Sequence, residues 1–158
     1  MNLTMINVNL FRGFTNLVQN GVLHTNIHFN GTRKPRDTDP IIHEICNEWF
    51  FEKFGIYARS SCIFVTQNRE QAANYVSDRG CLKKVLPQSP CKYIFSTNVS
   101  DLYDLEFRID LKKEYSELKS DIYNWLDEKD YKIVDNISEI PRFDGEIMLF
   151  CEYFYVED

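Results

Sequence analysis

Glycine and proline are scarce in this 158-residue chain, six and five respectively, too few for a collagen-like, low-complexity or linker-dominated protein. Long apolar runs are missing as well. No stretch approaches the roughly 18 apolar residues of a membrane span, and Met1 to Leu10 carry neither a basic cluster nor the apolar run of an export signal. A soluble, unexported protein with no membrane partner is therefore expected. Positive charge is in deficit, Lys+Arg 18 against Asp+Glu 24, for a formal net charge of −6. Such a chain repels a polyanion except where basic residues cluster, so general nucleic-acid binding is disfavoured. Cys46, Cys62, Cys81, Cys91 and Cys151 are odd in number and form no Cys-x-x-Cys pair. They read as reduced thiols in a cytoplasmic protein. His24, His28 and His43 lack paired spacing with carboxylates or thiols, and no metal site is expected. Phosphate-loop, dinucleotide-fingerprint and nucleophile-elbow motifs are absent too, which leaves kinase, dehydrogenase and common hydrolase readings without support.

What is present suits a single domain over residues 1–158. Apolar residues make up 44% of the chain, with Phe 12 and Tyr 9, a composition for a sheet-centred α/β or α+β core. Ile6, Val8 and Leu10 alternate with polar neighbours as a strand to Arg12 would, putting Arg12 and Gly13 at its C-terminal end. Residues 16–38 have the turn chemistry of a long, mobile loop. Asp37, Thr38 or Asp39 can cap a helix opening at Pro40 and stopping at Gly55, with Ile41, Ile42, Ile45, Trp49, Phe50 and Phe54 as its apolar stripe. Cys62 to Thr66 reads as a buried strand, with Asn68 capping a short helix to about Val76. Strands are expected at Lys92–Phe95, Leu105–Leu111 and Tyr131–Val134, a helix at 112–129, and closing strands over Ile147–Val156 with a break near Glu152.

Three separated pieces carry polar residues beside apolar runs: Leu10-Phe11-Arg12-Gly13, Cys62-Ile63-Phe64-Val65-Thr66-Gln67-Asn68 and Asp144-Gly145-Glu146-Ile147-Met148-Leu149. A guanidinium, a hydroxyl and a carboxylate on strand ends are what a site needs to hold a pyrophosphate and stabilise positive charge developing on a sugar.

In this order the pieces resemble the Arg…Ser/Thr…x-x-Glu pattern of small mono-ADP-ribosyltransferases, over Arg12 to Val156. The Ala72-x-x-Tyr75 run after the second piece is similar to the strand-then-helix segment of that superfamily. The resemblance implies an ADP-ribosyltransferase-like fold, two small packed β-sheets flanked by helices with a nucleotide cleft, and NAD as substrate without a metal. It also implies a role for each residue. Glu146 would stabilise the oxocarbenium, the alternative being a solvent-facing glutamate at a strand start. Arg12 would bind phosphate, or else form a surface ion pair; Gly13 would let the ligand approach the backbone. Thr66 would organise the site, or simply bond its hydroxyl locally; Gln67 stands where a second hydroxyl is usual. Tyr75 and Phe64 would wall the nicotinamide, or be core aromatics. Asp144, on the face of Glu146 if both are extended, would help choose the acceptor, though Asp-Gly is also a common turn.

The run Arg33-Lys34-Pro35-Arg36, with Arg59, is the one local excess of positive charge, suited to a pyrophosphate or an acidic partner or else to a solvated loop. Compact domains of this sort resemble proteins that bacteriophages use against host or defence machinery. The reading is then a cytoplasmic enzyme that ADP-ribosylates a host macromolecule, most simply a protein. The rival is a catalytically inactive protein of the same fold that binds and inhibits a host protein, which the Thr66-Gln67 departure favours. An RNA 2′-phosphate transferase would be expected to be more basic.

Overall fold

The computed structural model describes residues 8–35 and 38–158. Strands and helices are mixed along them: β1 (Leu10–Phe14), β2 (His24–Thr25), α1 (Pro40–Phe54), α2 (Ala58–Ser61), β3 (Ile63–Thr66), α3 (Arg69–Ala73), β4 (Cys81–Pro87), β5 (Cys91–Phe95), α4 (Tyr103–Glu106), α5 (Tyr115–Asp127), β6 (Lys132–Val134), β7 (Glu146–Cys151) and β8 (Tyr153–Glu157).

The long helices form where side-chain chemistry closes their ends. The Ile41 N–H donates to Asp39 Oδ1 at 2.8 Å and Pro40 opens α1 with its fixed φ. Gly55 ends it at φ 76, donating its N–H to the Phe51 carbonyl. Ile42, Ile45, Cys46, Trp49 and Phe50 are buried along α1, and Leu118, Ile122 and Leu126 along α5; the two helices pack in one core with Ile94 of β5 and Met148 of β7.

Among the described residues all eight strands join one antiparallel sheet in the order β2-β8-β4-β1-β3-β7-β5-β6. β1 and β3 meet at a single register pair, Phe11↔Thr66, whereas β1 pairs with β4 over five positions. β7 and β8 hold the sixth and second places in that order, yet only Glu152 separates them in sequence. A chain can cross in one residue only if the sheet curls until its halves face each other. The second core lies between those halves. It joins Leu10, Val85 and Val156 to Val65, Leu149 and Tyr93 and holds no buried α-helical residue. The expected pair of packed sheets is thus one sheet, kept continuous by one bridge and folded there.

Several expectations are corrected. Arg12 lies in the middle of β1 rather than at its end, because Gly13 and Phe14 go on pairing with Leu82 and Cys81; Ile6 and Asn7 lie outside the described residues. The 105–111 stretch is not a strand. Leu105 is buried inside α4, while Phe107 and Leu111 are 74% and 48% exposed in the following loop. β4 was not expected, because Lys83 and Lys84 break its alternation. Both lysines ion-pair with the chain end, at Asp158 and Glu157.

The described part of the 16–38 stretch is anchored at Asn26, Phe29 and Arg33. Asn26, buried, donates through Nδ2 to the carbonyls of Ser61 and Cys151, and its N–H donates to Glu152. Phe29 stacks on Phe150 at 4.8 Å, and the Arg33 N–H donates to Ser60.

Candidate functional site

Register brings the three sequence pieces together. Phe11 pairs with Thr66, and Thr66 with Glu146, so β1, β3 and β7 present them in one row across the fold line of the sheet. Beside this row lies a cavity of about 640 Å³ lined by Arg12, Gly13, Phe64, Thr66, Tyr75 and Glu146, together with Arg33, Lys34, Arg59, His43, Asp101 and Tyr103. Its size is within the range of about 300–1,000 Å³ usual for small-molecule sites.

Three arginines gather on Phe64. Arg12 Nη1 donates to the Phe64 carbonyl at 2.9 Å, and Arg33 Nε to the Cys62 carbonyl at 3.2 Å. The guanidiniums of Arg59 and Arg33 lie 4.2 and 5.1 Å from the Phe64 ring centre. Arg59 Nη1 also donates to Glu146 Oε1 at 2.6 Å, with side-chain exposures of 11% and 19%. Asn47 of α1 sets the Arg59 backbone, accepting its N–H through Oδ1 at 3.0 Å.

The electrostatics follow from burial and crowding. Burial and then Arg33 lower the Arg12 guanidinium to about 10, against a smaller upward pull from Glu146. Arg33 is lowered by burial and by Arg59. Burial acts downward on Arg59 too, but the charge and hydrogen bond of Glu146 carry it upward. His43 falls to about 4, through burial first and then Arg59, Lys34 and Arg33, so it is a neutral imidazole near pH 7. Among the described residues Arg12, Arg33, Lys34 and Arg59 thus face the carboxylates of Asp101 and Glu146 around the cavity, a local cationic excess in a chain of net charge −6.

The other candidate residues take varied positions. At Gly13 a Cβ would stand 2.3 Å from the Ala72 carbonyl oxygen, so the close approach there is made by the backbone of α3. Thr66 is buried, and its Oγ1 accepts the Asn68 N–H at 3.1 Å. Gln67 donates to the Pro141 carbonyl and does not line the cavity. Tyr75 is 51% exposed at the rim. Phe64 reaches the cavity, with its ring occupied by guanidiniums. Asp144 sits exposed in the bend before β7, off the extended segment of Glu146, and does not line the cavity. Arg33 and Lys34 turn into the cavity, whereas Arg36 lies outside the described residues.

Sequence reading gave no site role to His43, Asp101 or Tyr103, and to Arg59 only a share in a basic excess. No local pattern marks them, since the Arg59–Glu146 pair is 87 residues apart. Among the described residues no group of three His, Cys, Asp or Glu side chains could hold a metal, all five cysteines are free thiols, and no helix is long and apolar enough to cross a membrane. No family model matches the chain, and comparisons with curated proteins and with solved structures find no match either.

Proposed function

We propose that the cavity binds NAD and that the chain is a mono-ADP-ribosyltransferase acting on an intracellular, host-derived macromolecule. The observation that carries this reading is the convergence of Arg12, Thr66, Tyr75 and Glu146 on one cationic cavity. The cationic guanidiniums suit the pyrophosphate, and Tyr75 offers a face to the nicotinamide ring. A carboxylate has about four acceptor positions on its two oxygens. Glu146, held by Arg59 through Oε1, therefore keeps capacity for a ribose hydroxyl. In the reaction the bond from ribose C1′ to the nicotinamide nitrogen breaks, its electron pair neutralises the ring, and Glu146 faces the oxocarbenium that remains. An acceptor nucleophile then adds to C1′ and gives up its proton to solvent.

The ion pair to Arg59 also favours a second reading, in which Glu146 is neutralised and the cavity binds without transferring. Labelled NAD with a lysate of the host separates the two. Label on a macromolecule supports transfer, and a folded protein that transfers none supports the binding-only reading.

A further inference from the structure

The three arginines are not equivalent. Arg59 is committed to Glu146, while among the described residues neither Arg12 nor Arg33 has a carboxylate within ion-pair distance. Both instead hang from one run of extended backbone, Arg12 at Phe64 within β3 and Arg33 at Cys62 just before it. Cys62 and Phe64 are two residues apart on extended chain, so their carbonyls point off the same edge, and β1 pairs with that strand at one position only. Where the ladder to β1 stops, those carbonyls need donors, and two guanidiniums supply them. Anchored about 7 Å apart by strand geometry, they are close enough for one diphosphate to touch both. Among the described residues each guanidinium donates one of its five N–H groups to that backbone, and Arg33 is fixed further by its own N–H on Ser60. Two partly buried guanidiniums beside a cavity, with no ion-pair carboxylate among the described residues, suit a dianion.

We propose that Arg12 and Arg33 together form an anion subsite for the diphosphate of a nucleotide, and that Arg59 is a positioning residue for Glu146 rather than an anion ligand. This rests on the nucleotide reading above, and of the alternatives open to Arg33 it takes the diphosphate over an acidic partner.

ADP is the probe, titrated calorimetrically into the full chain. Arg12→Gln and Arg33→Gln should each weaken ADP binding at least tenfold, whereas ADP affinity within twofold of the parent in folded Arg33→Gln would overturn the subsite. If that variant does not fold, the unmodified protein decides. Inorganic pyrophosphate at constant ionic strength should raise its melting temperature by several degrees, and no rise would overturn the subsite. For Arg59→Lys, nicotinamide release from NAD should show a lower kcat at unchanged KM; a KM rise like that of Arg33→Gln would overturn the division of labour. Nicotinamide release with a KM indifferent to Arg33 would sink this subsite and leave the transferase reading standing. ADP bound through Arg33 with no nicotinamide released would do the reverse.

Discussion

His43 enters the cavity near the start of α1, and burial first, then its neighbours Arg59, Lys34 and Arg33, leave it uncharged in the fold. Its folded value of about 4 lies below the ordinary 6.5. As pH falls from 6.5 toward 4 the unfolded chain gains a proton that the folded chain refuses, so stability drops through that window and is unaffected above it. The loss is on the order of 1–2 kcal/mol once solvent screening is allowed for. Urea denaturation at pH 7 and pH 5 should show the drop shrinking by about that much in His43→Asn; equal drops would contradict the assignment. Sequence order made Arg12, Thr66 and Glu146 legible as residues that meet at one cavity, because each sits beside a strand-like run. The Arg59–Glu146 pair was not, since nothing local to either residue signals a partner 87 positions away. Glu146→Gln removes that counter-charge but leaves an acceptor for Arg59. It should cost about 1–3 kcal/mol of stability without unfolding, measured by the same denaturation.

At the scale of elements, α3 lies directly on β1 because position 13 has no side chain. Gly13→Ala would put a methyl carbon 2.3 Å from the Ala72 carbonyl oxygen, displacing the helix that leads to Tyr75. A loss of about 1–3 kcal/mol is expected, together with weaker nucleotide binding; an unchanged melting temperature would contradict the packing. Asp39→Ala removes the bond to the Ile41 N–H and should cost about 1 kcal/mol in urea denaturation. α1 was readable from sequence because its cap, its opening proline and its closing glycine flank an apolar stripe. β4 was not, because Lys83 and Lys84 hide a paired strand, their charges met by the distant Asp158 and Glu157. The alternation of Phe107, Ile109 and Leu111 misled in the opposite sense, with two of its three members exposed.

For the whole molecule, one weak seam decides where the cavity lies. The sheet folds at the lone Phe11↔Thr66 pair, and there strand carbonyls recruit arginine side chains instead of a neighbouring strand. That seam concentrates positive charge in an otherwise acidic protein, so ligand affinity should fall with added salt. Mixed α and β structure and the closing strands with their break at Glu152 were legible from composition and alternation. The single curled sheet was not, since a strand reads the same whichever half it joins. The most direct measurement is release of nicotinamide from NAD by the purified chain and by folded Glu146→Gln. Release that falls at least about a hundredfold in the variant is the result expected of a transferase cavity. No release from the parent protein, or equal release from both, would contradict it.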